Sequence, residues 1–179
     1  MDTAVYLVDV RPVLEDLGGV IAVDARVELP VITLGTEEFV PRTPALVRMQ
    51  VTNTGAGIVA SGMVSIEFEA TCSRCLSGFV LPLTAEVDGF FVHHGGGADL
   101  PEEQDFGFIE DGSVDLMPCI LSALALEAPF APLHDPECKG ICPSCGADLN
   151  AGDCGCPPPE SASPFSALKS LLPEGGDDR

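Results

Sequence analysis

Val64-Ser65-Ile66-Glu67-Phe68-Glu69-Ala70, which runs through Thr71 into Cys72-Ser73-Arg74-Cys75, decides the fold. Val64, Ile66 and Phe68 alternate with Ser65, Glu67 and Glu69, the period-2 pattern of a strand with one face in a core and one in water. The strand ends on a Cys-x-x-Cys turn, and Phe79–Val92 beyond it is again rich in aromatic and β-branched residues. Two such runs joined by a short polar turn predict an antiparallel pair.

Upstream, Val5–Val10, Val20–Leu29 and Leu46–Thr52 carry the same β-branched enrichment. Pro12–Leu17 followed by Gly18-Gly19 reads as one helical turn with a glycine stop. Asn53-Thr54-Gly55-Ala56-Gly57 reads as a turn, and Ser61-Gly62 as a kink or bulge. Residues 95–113 turn glycine-rich and acidic and read as a mobile surface segment, with Phe106, Phe108 and Ile109 scattered through it. A helix is predicted over 115–127. Asp115 is its cap, Pro118 lies in its first turn, and its leucines cover most of the circumference, so it is expected to lie buried across the sheet. The fold class is therefore α+β: a predominantly antiparallel β sheet or partial barrel, one buried helix and a small C-terminal zinc-knuckle module. Residues 1–132 form the β-rich domain, 133–158 the cysteine-rich module, and 159–179 a tail with a short amphipathic helix.

The 179 residues are 46% hydrophobic, enough for a core of ordinary size. No apolar run reaches the roughly 18 residues needed to span a bilayer. The opening Met1-Asp2-Thr3-Ala4-Val5-Tyr6 lacks the basic-then-apolar order of a secretory signal. A cytoplasmic location and no membrane contact are expected. Eight basic side chains face 28 acidic ones, a net charge of −20. Such a field repels RNA and attracts basic proteins. Direct RNA contact would require the fold to gather Arg26, Arg42, Arg48, Arg74 and Lys139 into one patch.

Seven of the eight cysteines stand in close-spaced groups, which in a reducing compartment favours metal over disulfides. Cys119 stands apart and reads as an inert core thiol. Cys142-Pro-Ser-Cys145-Gly146 is a knuckle pattern: two intervening residues let both sulfurs converge, and glycine permits the tight turn that aims N–H groups at them. Cys154 and Cys156 supply a second pair, completing four ligands for a closed, structural Zn²⁺ site. Cys138 is an alternate ligand and His134 a weaker one. The tail is poor in large apolar residues, so metal would supply its folding free energy. For Cys72 and Cys75 three readings stand side by side. They form a structural turn, half of a metal site (across a dimer or with Cys138), or a redox pair activated by Arg74.

No phosphate-binding loop or dinucleotide fingerprint occurs. With three histidines and paired acids that read as solvated surface, no catalytic residues are assigned and the chain is expected not to be an enzyme. Phe165, Leu168, Leu171 and Leu172 form an apolar stripe that would dock on this domain or on a partner.

These pieces together resemble the YceD family of bacterial and plastid proteins. The resemblance rests on Cys72-Ser-Arg-Cys75-Leu76 after a strand, Val114-Asp115-Leu116 opening the helix, and Pro132-Leu133-His134. It continues through Cys138-Lys-Gly-Ile-Cys142-Pro-Ser-Cys145-Gly-Ala-Asp-Leu-Asn150 and Ser163-Pro164-Phe165. It implies a non-catalytic role in accumulation or processing of large-subunit ribosomal RNA and in ribosome assembly, with a basic ribosomal protein or pre-ribosomal particle as partner. The alternatives are a thiol–disulfide redox protein using Cys72 and Cys75, or a zinc-stabilised interaction module unrelated to ribosomes. Some members lack the C-terminal cysteines, so the zinc site would support a local module.

Overall fold

The computed structural model describes residues 4–94 and 106–157. Among these residues nine strands and one α-helix follow in the order β1 (Leu7–Asp9), β2 (Val20–Val27), β3 (Ile32–Leu34), β4 (Glu37–Pro41), β5 (Ala45–Asn53), β6 (Ile58–Thr71), β7 (Gly78–Val92), β8 (Gly107–Phe108), β9 (Ser113–Asp115) and α1 (Met117–Glu127). The expected tail helix lies outside the described residues.

β6 organises the main sheet. β7 pairs antiparallel along its whole length, from Ile58↔Phe91 to Thr71↔Gly78. Its other edge is shared by β5 over Ile58–Ser65 and by β4 at Phe68 and Glu69. β2 extends the sheet beyond β5, β3 pairs with β4, and β8 adds a short parallel contact to the end of β7. β1 and β9 make a separate two-stranded sheet. The architecture is open, so the partial-barrel expectation gives way to sheets with free edges.

Alternation sets the faces. Ile58, Ala60, Val64, Ile66, Phe68 and Ala70 of β6 point inward beside Val47, Met49 and Val51 of β5 and Ala85 and Val87 of β7. Gly62 keeps this phase and pairs with Met49, so no residue is inserted and the bulge is absent. A glycine is required there for another reason. A Cβ would stand 2.2 Å from the Arg48 carbonyl oxygen and 2.5 Å from the Met49 Cα.

Leu116, Met117, Ile120 and Leu124 close the same core from α1. The helix starts two residues later than predicted because Asp115 is held in β9. Its carboxylate still accepts the Met117 N–H (3.0 Å) and also that of Tyr6 (2.8 Å). Leu126 is 87% exposed, so burial takes one side of the helix and not its whole circumference.

The helical turn after β1 is a 3-10 turn, Arg11–Val13, which starts and stops earlier than expected. Asn53, the one buried polar side chain among the described residues, fastens it. Asn53 donates to the Val13 carbonyl (2.7 Å) and the Leu14 carbonyl (3.0 Å) and accepts the Gly55 N–H (2.8 Å). The end of the 95–113 segment is structured, since β8 and β9 form there and Ile109 is buried.

Candidate metal centre

The hairpin of β6 and β7 carries its turn, Cys72-Ser73-Arg74-Cys75-Leu76-Ser77, away from the centre of the sheet. The Leu76 N–H donates to the Cys72 carbonyl and the Cys72 N–H to the Ser77 carbonyl, both at 2.8 Å. The C-terminal stretch repeats this backbone. There the Gly146 N–H donates to the Cys142 carbonyl and the Cys142 N–H to the Ala147 carbonyl, again both at 2.8 Å. Leu76 (φ 61°) and Gly146 (φ 75°) both take the left-handed conformation that closes the turn. Glycine enters that conformation freely, whereas for leucine it costs roughly 1–2 kcal/mol.

The remaining cysteines sort onto these two turns. Sγ of Cys142, Cys145, Cys154 and Cys156 all lie within 4.8 Å of one another, as do Sγ of Cys72, Cys75 and Cys138 and a ring nitrogen of His134. The four thiols named from spacing are thus brought together. Cys138 and His134 stand with the hairpin pair instead. The Cys72 and Cys138 sulfurs are 3.8 Å apart, and Cys75 Sγ lies 3.4 Å from His134 Nδ1. Four ligands at about 2.3 Å from a tetrahedral ion stand about 3.8 Å apart, so both groups fit one.

The two clusters are connected through the main chain. Ser73 N–H donates to the Pro132 carbonyl (2.8 Å), and the Arg74 guanidinium donates to the carbonyls of Pro136 (3.1 Å) and Cys138 (2.9 Å). Ile141 N–H donates to the Arg74 carbonyl (3.2 Å), and Leu149 N–H to that of Gly140 (2.9 Å). Gly140 (φ 77°) packs on the Arg74 main chain, where a Cβ would come within 3.0 Å of its oxygen. Asn150 spans the loop, accepting the Lys139 N–H (2.8 Å) and donating to Cys138 Sγ (3.4 Å).

Local electrostatics prepare both turns for cations. Burial opposes ionisation of Cys72, but the N–H groups of Cys75, His134 and Arg74 and the His134 side chain outweigh it and lower the thiol pKa to about 5. At Cys142 the N–H groups of Cys145 and Ser144 and the Cys154 thiol lower it to about 6. Cys138 and Cys156 hold their protons: Cys138 is raised by burial, and Cys156 is pushed up to about 12 by its contacts with Cys145 and Cys154. Each cluster therefore surrounds a thiolate with further soft donors. Cys119 lies elsewhere, donating to the Leu116 carbonyl (3.0 Å), and burial pushes it up to about 11.

Other sequence candidates are not assembled. His94 stacks on Phe108 and faces Glu110 at 3.7 Å, where no metal-ligand group forms among the described residues. Arg48 faces Asp24 (3.5 Å), Arg42 faces Glu69 (3.8 Å), and Arg74 is turned onto carbonyl groups. Three of the five candidate RNA-binding cations thus have local partners. A groove of about 740 Å³ runs between β7, β8 and α1, with Phe90, Phe108 and Leu126 beside Glu86, Asp88 and Glu110. Sequence reasoning missed it because its walls come from three separated segments. Among the described residues no helix is long and apolar enough to cross a membrane.

Comparison with known proteins points in one direction. The family model described as large ribosomal RNA subunit accumulation protein YceD matches residues 60–172. An uncharacterized protein of Mycobacterium tuberculosis is 31% identical over 102 residues, which cover 56% of this chain and 49% of that protein. One from Mycobacterium leprae is 27% identical over 150 residues, 79% of this chain and 66% of that protein. A Zea mays protein named large ribosomal RNA subunit accumulation protein YCED homolog 1, chloroplastic, is 28% identical over 169 residues, 78% of this chain and 57% of that protein. The match thus spans about half the length of the Mycobacterium tuberculosis relative. No solved structure matches the chain.

Proposed function

The chain belongs to the YceD family, and from that premise we propose that it is a non-catalytic factor that supports accumulation of large-subunit ribosomal RNA. The observation that carries this reading is the family match over residues 60–172, which includes both cysteine turns and the helix between them. The name of the maize relative agrees with it.

In this reading contact is made through protein rather than RNA. The net charge of −20 opposes a polyanion and accelerates encounter with basic proteins. The groove beside β7 supports the same choice, because acids flank apolar side chains that a basic, partly apolar segment of a ribosomal protein would cover. The partner class is thus a basic ribosomal protein or a pre-ribosomal particle, met in the cytoplasm.

Zn²⁺ at Cys142, Cys145, Cys154 and Cys156 has a structural part in this proposal. Thiolates select a soft-accepting ion, and four protein ligands leave no open position for a substrate. The ion would order residues 133–158 as a module on the hairpin side of the domain, with 159–179 as a tail.

Deleting the gene in its own host tests the function. The ratio of large- to small-subunit rRNA should fall, and the full chain supplied in trans should restore it. An unchanged ratio, with no basic ribosomal protein captured by the tagged chain, would refute the proposal. The redox alternative is less well supported because Cys72, the thiol of the pair whose pKa is lowered, is 0% exposed.

A further inference from the structure

We propose that Cys72, Cys75, His134 and Cys138 form a second tetrahedral Zn²⁺ site, separate from the Cys142 cluster, that clamps the β6–β7 turn to the chain leaving α1. This goes beyond the ribosomal role and does not depend on it.

Three independent observations carry the inference. The first is convergence. Four ligand atoms from three separate stretches, residues 72–75, 134 and 138, all lie within 4.8 Å of one another. The Cys72–Cys138 separation of 3.8 Å matches the edge of a tetrahedron with bonds of about 2.3 Å. A disulfide would bring those sulfurs to about 2.05 Å, and all eight cysteines are free thiols.

The second is the backbone of the turn. Its hydrogen bonds repeat those of Cys142–Ala147, including both distances and the left-handed residue after the second cysteine. A turn required only to reverse two strands has no need for leucine in that conformation. Two-residue hairpin turns serve that purpose with Asn-Gly or Asp-Gly. Holding Leu76 at φ 61° while its side chain is 63% exposed is explained when the turn must direct N–H groups at sulfur.

The third is the supporting shell. Ser73, Arg74 and Asn150 fix the 132–138 segment and Cys138 Sγ against the hairpin through the contacts to Pro132, Pro136 and Cys138 given above. Metal ligands are ordinarily oriented by such outer hydrogen bonds. Three thiolates and one imidazole suit Zn²⁺ over the hard cations, and full protein ligation makes the site structural. Cys138 and Cys142 then belong to different ions, with only Lys139-Gly140-Ile141 between them.

The test is zinc content of the full-length chain after dialysis against a weak chelator, with two ions per chain expected. Cys142→Ser/Cys145→Ser and Cys75→Ser/His134→Ala should each retain one. If either of these double variants fails to fold, His134→Cys still decides the matter. It should hold two ions, and after Co²⁺ substitution its sulfur-to-metal absorption should rise as the thiolate count goes from seven to eight. One ion in the wild type that survives Cys75→Ser/His134→Ala would overturn the second site and leave the Cys142 site standing. One ion that survives Cys142→Ser/Cys145→Ser instead would establish this site and remove the other. A Co²⁺ spectrum unchanged by His134→Cys would also overturn it.

Discussion

Gly62→Ala tests the geometry on which the hairpin depends. The added Cβ would stand 2.2 Å from the Arg48 carbonyl oxygen and 2.5 Å from the Met49 Cα, both main-chain atoms of the neighbouring strand. No rotamer relieves that contact, so β5 and β6 must separate by about 1 Å at the Met49↔Gly62 pair. Overpacking of this kind costs roughly 1–3 kcal/mol. Stretching the flanking ladder bonds adds about 1 kcal/mol each. Against this, alanine restricts the unfolded chain and returns about 0.4–1 kcal/mol. The net loss is about 2–4 kcal/mol. For a chain of this size each kcal/mol lowers Tm by roughly 2–4 °C, so a fall of about 4–16 °C is expected. Circular dichroism melting of the full chain measures it. Gly78→Ala, where an added Cβ meets nothing within 4 Å, is the control and should melt within about 2 °C of wild type. A Gly62→Ala variant as stable as that control would refute the reasoning.

Three further outcomes are expected. Asn53→Ala removes two donated bonds and one accepted bond from a side chain only 9% exposed, and should cost about 2–3 kcal/mol in chemical denaturation. Leu76→Pro fixes φ near −65° and deletes the N–H that donates to the Cys72 carbonyl; elemental analysis should show loss of one zinc ion, whereas Leu76→Gly should keep both. Cys119, with its pKa raised from 9.0 to about 11, holds about a hundred-fold less thiolate at pH 8 than an ordinary thiol. Peptide mapping after brief alkylation at pH 8 should find Cys119 labelled far more slowly in the folded protein than in the denatured chain, and equal rates in the two states would contradict this. Its share of stability is present below pH 9 and is lost as pH rises through 11, because the folded state then holds a proton that the unfolded state releases.

The fold was legible where hydrophobic period and burial agree. Val64–Ala70 and Phe79–Val92 read directly as paired strands because alternate residues enter one core. The first half of β6 was hidden by Ser61-Gly62, which has the composition of a break although glycine is there to admit the Arg48 carbonyl. β3 and β4 were missed because they are short and Glu37-Glu38 interrupts any apolar pattern; tertiary pairing with β6 makes β4 a strand. Helix α1 was placed within two residues, but the exposure of Leu126 depends on where the sheet ends. For the site, Cys142-x-x-Cys145-Gly146 declared itself through its glycine. The hairpin turn has the same backbone with Leu76 in that position, which removed the signal. That Cys138 turns toward Cys72 and not toward Cys142 follows from Arg74 and Gly140, whose contacts are long-range and invisible to spacing.

X-ray absorption at the zinc edge of the purified full-length chain tests the central claim most directly. Two closed sites sharing seven cysteines and one histidine predict an average of about 3.5 sulfur and 0.5 nitrogen ligands per zinc, with sulfur at about 2.3 Å. A shell dominated by oxygen and nitrogen, or two or fewer sulfurs per ion, would contradict it.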